Sequence, residues 1–194
     1  MPTPSDPKPR RNRGPAAGPD NRRALIVAAR EVYAQSGLSA PFSAIAKRAG
    51  VGQGSLYRHF PDRTALAVAV FDENIAELEA FTAPVERTLD DLLDRVADQA
   101  MVSTALITLL GGDPHDARVR SIGRRYRAVV ERLVDRERAA GHLAASVSAE
   151  DVLLATAMLA GAISRSDPVE RAVVATRARA LFRAAFAAGT EPRA

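Results

Sequence analysis

An all-α fold is what the sequence predicts, on three observations. Apolar residues recur three and four apart through most of the chain. From residue 84 onward no segment alternates in the manner of a half-buried strand. Helix start and stop signals then divide the periodic stretches into separate helices. The expected architecture is a three-helix head with a helix-turn-helix, joined to a larger helical body.

Residues 1–19 are rich in proline and lack any period, so a disordered tail is expected, made basic by Lys8, Arg10, Arg11 and Arg13. Asp20 is read as the cap of a first helix running to about Ser36. Its apolar face is Leu25, Ala28, Ala29, Val32 and Tyr33, and Gly37 ends it. Pro41 is placed in the first turn of a short second helix, Ser43 to Ala49. Gly50-Val51-Gly52 makes a turn and Gln53 to Phe60 a third helix. Pro61 interrupts, and Asp62 caps a helix that continues through Leu66, Val70, Ile75 and Leu78.

The body is expected to begin with a helix from near Pro84 into the apolar run Met101 to Leu110, stopped at Gly111-Gly112. Another spans about 116 to 140. It buries Val119, Ile122, Tyr126, Val129 and Leu133 and turns Arg124, Arg127, Glu131 and Arg138 outward. Ser148 caps a helix apolar from Val152 to Ile163. Asp167-Pro168-Val169-Glu170 starts a last one, which presents Val173, Ala178, Leu181, Phe182 and Phe186. The divisions drawn are 1–19 for the tail, 20–66 for the head and 67–194 for the body.

Charge separates these parts. Residues 1–60 carry ten Lys or Arg against three Asp or Glu, a net of +7, whereas residues 61–194 carry 17 against 20, a net of −3. A basic head on a mildly acidic body is what a protein needs when only its head approaches phosphates. With 47% hydrophobic residues, 26% charged and no cysteine, the composition fits a globular protein and excludes disulfide and thiolate chemistry. The start has no secretory apolar run and no stretch nears the ~20 residues that cross a bilayer, so a cytoplasmic protein with no membrane partner is expected.

The head carries the functional signal. Two short helices across a glycine turn can lay the second in the major groove of double-stranded DNA while the first crosses the backbone. Val51 should plug between them with Ile45, Ala46 and Leu56, leaving Gln53, Ser55, Tyr57, Arg58 and His59 outward. Gln53 and Ser55, near the helix start, suit base edges. Tyr57 and His59 suit phosphate clamps, and Arg58 suits either task or a place facing solvent. Ser43, with the N–H groups that open its helix, is a further phosphate contact, and Lys47 and Arg48 add attraction.

Residues 22–66 resemble the DNA-binding domain of TetR-family transcriptional regulators. The likeness rests on Ala28-Ala29, Tyr33 and Gly37, then on Ile45-Ala46, Ala49-Gly50-Val51, Gly54, Leu56-Tyr57 and His59-Phe60. Ala40-Pro41 and Gly52 depart from the Ser or Thr common at those positions. The resemblance implies an all-helical homodimer of roughly nine helices, released from a palindromic operator by a small molecule. By the same analogy the last two helices form the dimer contact, with Met158, Leu159, Ala162, Leu181, Phe182 and Phe186 as candidates. The effector pocket would lie within residues 62–140, lined by Phe71, Met101, Thr104, Ala105, Thr108 and Tyr126, which favour a largely apolar ligand.

No catalytic set stands out, so neither an enzyme nor a cofactor is expected. His59, His115 and His142 are far apart and lack cysteine partners, which argues against zinc. The competing reading is an architectural or adaptor protein that binds DNA mainly through charge, without ligand-controlled repression.

Overall fold

The computed structural model describes residues 18–102 and 116–188, and it is all-α. Among the described residues there are eight helices: α1 (Gly18–Ser36), α2 (Phe42–Ala49), α3 (Gln53–His59), α4 (Arg63–Thr82), α5 (Leu89–Val102), α6 (Ala117–Ala139), α7 (Ala149–Arg165) and α8 (Arg171–Phe186). Besides helices, turns and irregular links, the described residues hold an isolated bridge of Leu143 with Ala187, which ties the end of α8 to the turn after α6.

Several ends differ from the sequence expectation. Asp20 lies inside the first turn of α1, which begins at Gly18, so it acts on the helix dipole and does not cap. Pro41 is itself the N-cap of α2, extended at φ −70° and ψ 142°. The first body helix begins at Leu89 because Pro84 goes into a turn, closed by the Arg87 N–H donating to the Pro84 carbonyl at 3.2 Å. Its start is a reciprocal cap: the Thr88 N–H donates to Asp91 at 2.9 Å, and the Asp91 N–H to the Thr88 hydroxyl at 3.2 Å. Asp167 to Glu170 form a turn whose carbonyl at Asp167 accepts from Glu170 and Arg171, and α8 follows without a side-chain cap.

Other signals hold. Asp62 caps α4, accepting from the Ala65 N–H at 2.6 Å. Ser148 and Asp151 form a complete capping box on α7. Gly37 and Gly50, at φ 66° and 67°, supply the left-handed residues that end α1 and α2, a conformation costly for residues with a Cβ.

Three apolar clusters fill the interior. The first joins α1 to α4 around Leu25, Ile45, Leu56, Phe60 and Phe71, and takes Val119 and Ile122 from α6. The second lies among α4, α5, α6 and α7, around Leu92, Val130 and Leu133. The third joins α5, α7 and α8 around Leu93, Leu159 and Ile163. The expected boundary between residues 66 and 67 falls inside α4, which runs unbroken from head to body.

α4 and α6 lie side by side, tied by arginines of α6. Arg118 bonds Asp62, Arg125 bonds Asp72 and Glu79, and Arg132 donates to the Thr82 hydroxyl at 2.9 Å. Arg136 then holds the carbonyls of Pro84 and Arg87, at 2.7 and 3.0 Å. Partners advance in the same direction along both helices, so the pair is parallel.

Candidate nucleic-acid interface

The angle between α2 and α3 comes from a short turn and a buried wedge. Gly50 allows the reversal, and the Val51 N–H donates to the Ala46 carbonyl at 3.0 Å. Val51 is half-buried against the cluster that holds Ile45, Ala46 and Leu56, as its place between two helices requires. Leu56 and Phe60 are buried on one side of α3, which turns the intervening residues outward. Gly52 caps α3 with its carbonyl alone, accepting from Ser55 and Leu56 at 2.9 and 3.1 Å.

Residues from three helices meet in a cleft of about 370 Å³, lined by Pro41, Phe42, Ser43, Gln53, Tyr57, Asp62 and Arg63. Its floor is aromatic: the Tyr57 and Phe42 rings stand 5.5 Å apart, tilted by 49°. The α2 start opens here with no side-chain cap, since Pro41 offers none. Its opening N–H groups thus stand beside Ser43, the arrangement that suits an anion.

The eight predicted contacts divide between surfaces. Ser43, Gln53 and Tyr57 are exposed and share the cleft. Ser55 and His59 are half-buried on α3, and the His59 ring lies 6.4 Å from that of Phe60. Lys47 and Arg58 are exposed, and among the described residues neither takes part in an ion pair. Arg48 is drawn away: it pairs with Glu31 of α1 and lines a separate groove with Asp20, Arg23, Val27 and Ala49. Its charge is therefore largely compensated where it sits.

Arg63 is a cleft residue that sequence reasoning missed. Its guanidinium donates to the carbonyls of Leu38 and Ser39, at 3.3 and 2.9 Å, and lies 6.0 Å from the Phe42 ring centre. This holds a cation at the mouth of the site and ties α4 to the link before α2. The available signal was its place directly after the Asp62 cap, at the first residue of a helix that starts beside the recognition helix.

Of the predicted pocket residues, the structure describes Phe71, Met101 and Tyr126. Phe71 is a core residue of the first cluster, and Met101 is half-buried against the third. Tyr126 packs against both the first and second clusters. Thr104, Ala105 and Thr108 lie outside the described residues. The Tyr126 hydroxyl is sealed from solvent and has no hydrogen-bond partner of good geometry among the described residues, although Thr156 lies near enough to act on it. Burial pushes this hydroxyl up to about pKa 12, so it stays a neutral donor.

The predicted dimer contacts also divide. Met158 and Leu181 are 54% and 70% exposed, enough to meet a partner. Ala162, Phe182 and Phe186 are half-buried. Leu159 is fully buried in the third cluster of a single chain, so it is a core residue and not a surface contact. Leu154 and Val173, 60% and 55% exposed, extend the apolar surface; neither was among the predicted dimer contacts, although Val173 was read on the face that the last helix presents.

Among the described residues no group of His, Cys, Asp or Glu could hold a metal ion, and no helix is long and apolar enough to cross a membrane.

The family model described as bacterial regulatory proteins, tetR family, matches residues 25–70, which span α1 to the first half of α4. Among solved structures, a TetR transcriptional regulator from Streptomyces coelicolor is 25% identical with a TM-score of 0.63, over 87% of this chain and 99% of that one. A TetR-family regulator from Agrobacterium tumefaciens superposes with a TM-score of 0.67 at 16% identity, over 88% of this chain and 100% of that one. One from Pectobacterium atrosepticum gives 0.64 at 20% identity, over 93% and 100%. The last two are likenesses of fold.

Proposed function

We propose that the chain is a helix-turn-helix regulator of the tetR family, the family whose model matches its head, and that it represses transcription as a homodimer which leaves a palindromic operator when a small molecule binds its body. The observation that carries the proposal is the cleft where Ser43, Gln53, Tyr57 and Arg63 converge from α2, α3 and α4. Gln53 and Ser55 take the base edges at the start of α3. Tyr57, His59, Ser43 and Arg63 hold phosphates and fix the register, with Arg58 and Lys47 adding charge.

The apolar surface of α7 and α8 supports the dimer. Leu154, Met158, Val173 and Leu181 are exposed large hydrophobics on two adjacent helices, an arrangement that favours burial against a second copy. Two recognition helices then reach successive major grooves when about 34 to 36 Å apart.

The effector reading rests on Tyr126. A neutral hydroxyl buried without a partner costs about 1–3 kcal/mol, and a ligand that accepts its hydrogen bond would recover that cost. Its neighbours are mostly apolar, so the ligand class is uncharged and largely apolar with a hydrogen-bond acceptor. Release requires that the ligand favour the spacing that does not bind DNA, because equal affinity for both states shifts nothing.

Footprinting on duplexes selected from a random pool tests this function. Protection of a short palindrome by two protomers is expected. Coating that grows with duplex length, with no preferred site, would instead favour an architectural protein that binds by charge.

A further inference from the structure

Asp62 poses an electrostatic problem for the cleft. It is the acidic residue among those that line the cleft, beside Ser43, Gln53 and Tyr57. A carboxylate there repels an approaching phosphate. Its place is nevertheless fixed, because it caps α4 through the Ala65 N–H. The adjacent Arg63 turns its guanidinium to the Leu38 and Ser39 carbonyls. Partial compensation comes from the body: one Arg118 nitrogen lies 3.3 and 3.2 Å from the two Asp62 oxygens.

We infer that Arg118 of α6 is a positioning residue of the DNA-binding cleft, which offsets part of the Asp62 charge and anchors the start of α4 from the body. The inference rests on the DNA-binding reading and adds a residue that does not line the cleft. Arg118 is shared with a second carboxylate. Asp116, the cap of α6, accepts from it at 3.1 and 2.7 Å, closer than Asp62 does. A displacement of the α6 start relative to α4 therefore carries the guanidinium with Asp116 and leaves Asp62 uncompensated. The cleft then loses attraction for phosphate without any change in the residues that face DNA. Arg125 and Arg132, one and two heptads further along α6, hold the rest of α4 to the same helix. Arg118 is the rung of that ladder nearest the interface.

The test is a double-mutant cycle with Arg118→Gln and Asp62→Asn. Asparagine caps a helix about as well as aspartate, so Asp62→Asn removes the charge and keeps the start of α4. The probe is a duplex that the wild-type protein selects from a random pool, titrated at several salt concentrations, with a thermal melt for each variant. Arg118→Gln should weaken binding about two- to fivefold, the range for an exposed ion pair. It should have no effect in the Asp62→Asn background, and Arg118→Lys should retain most of the affinity. The salt slope should stay unchanged, since Arg118 touches no phosphate.

Equal weakening in both backgrounds, no weakening in either, or a slope shallower by about one would overturn the inference. The last result would mean that Arg118 meets DNA itself. A wild-type protein that bound no duplex would instead sink the DNA-binding reading beneath it.

Discussion

Tyr57 on α3 rests its ring against Phe42, the first residue of α2, with centroids 5.5 Å apart and planes tilted by 49°. The contact gives Tyr57 two separable roles. Its ring braces the recognition helix against the helix before it, while more than half of the residue stays exposed. Tyr57→Phe keeps the brace and removes the hydroxyl. It should leave the melting temperature unchanged and lower affinity about tenfold, the scale of a hydrogen bond to a charged group. Equal affinity for Tyr57→Phe and wild type would remove the phosphate role.

Gln53 stands at the start of α3, exposed in the same cleft. A bidentate amide at a base edge discriminates by about 1–3 kcal/mol. Gln53→Ala should therefore relax base preference at one position of each half-site, read by repeating the selection from a random pool. Tyr57→Ala should weaken all sites alike. An unchanged selected sequence for Gln53→Ala would move base reading to Ser55 or Arg58.

Met158 and Leu159 are neighbours in sequence with opposite surroundings, one 54% exposed and the other fully buried. Met158→Glu should shift sedimentation toward the monomer with little effect on the fold of each chain. Leu159→Ala should destabilise the fold by about 2–5 kcal/mol through lost packing and a cavity. A Met158→Glu protein that sediments like wild type would place the dimer contact elsewhere.

Tyr126→Phe removes a buried hydroxyl that has no well-formed hydrogen bond among the described residues. Thermal stability should stay level or rise, because the unsatisfied group goes and the ring remains. A panel of uncharged, largely apolar compounds screened by thermal shift should contain ligands that stabilise wild type more than Tyr126→Phe. A clear loss of melting temperature would show that the hydroxyl is satisfied in the folded protein.

Acid should lower the stability of the protein over a defined window. The Asp116 carboxyl is held down to about pKa 2, chiefly by its hydrogen bonds with the Arg118 side chain and backbone. Asp91 and Asp151 are lowered by the backbone and hydroxyl bonds of their capping partners, Thr88 and Ser148. A folded pKa below the unfolded one means stability present above about pH 4 and lost as pH falls through the folded value. Urea melts should thus show stability falling between about pH 4 and pH 2. Ser148→Ala at neutral pH should cost about 1 kcal/mol and lower the melting temperature by about 2–4 °C.

The head was the most legible part of the chain because its signals are local. Gly50 needs a left-handed backbone, Asp62 needs a free N–H three residues on, and Leu56 and Phe60 share a face by helical spacing. The body was less legible at its edges. Pro84 suits a helix start and a turn equally, and the Thr88–Asp91 cap that decided between them was overlooked. Asp167-Pro168 carried the stronger start signal on paper, yet α8 begins after it at Arg171.

By itself the sequence determined the helix-turn-helix, the order of the helices and which residues of α3 face outward. Backbone conformation and 3.6-residue periodicity act over a few residues, and both are written in neighbouring positions. Only the tertiary structure decided the partners of the arginines. Arg48 goes to Glu31, Arg63 to the carbonyls before α2, and Arg118 to Asp62, contacts separated by 17, 24 and 56 residues. It also decided that Leu159 is core while Leu154 and Met158 are surface. α7 is apolar on more than one face, so periodicity defines no single inward side there, and packing against α5 and α8 chooses it.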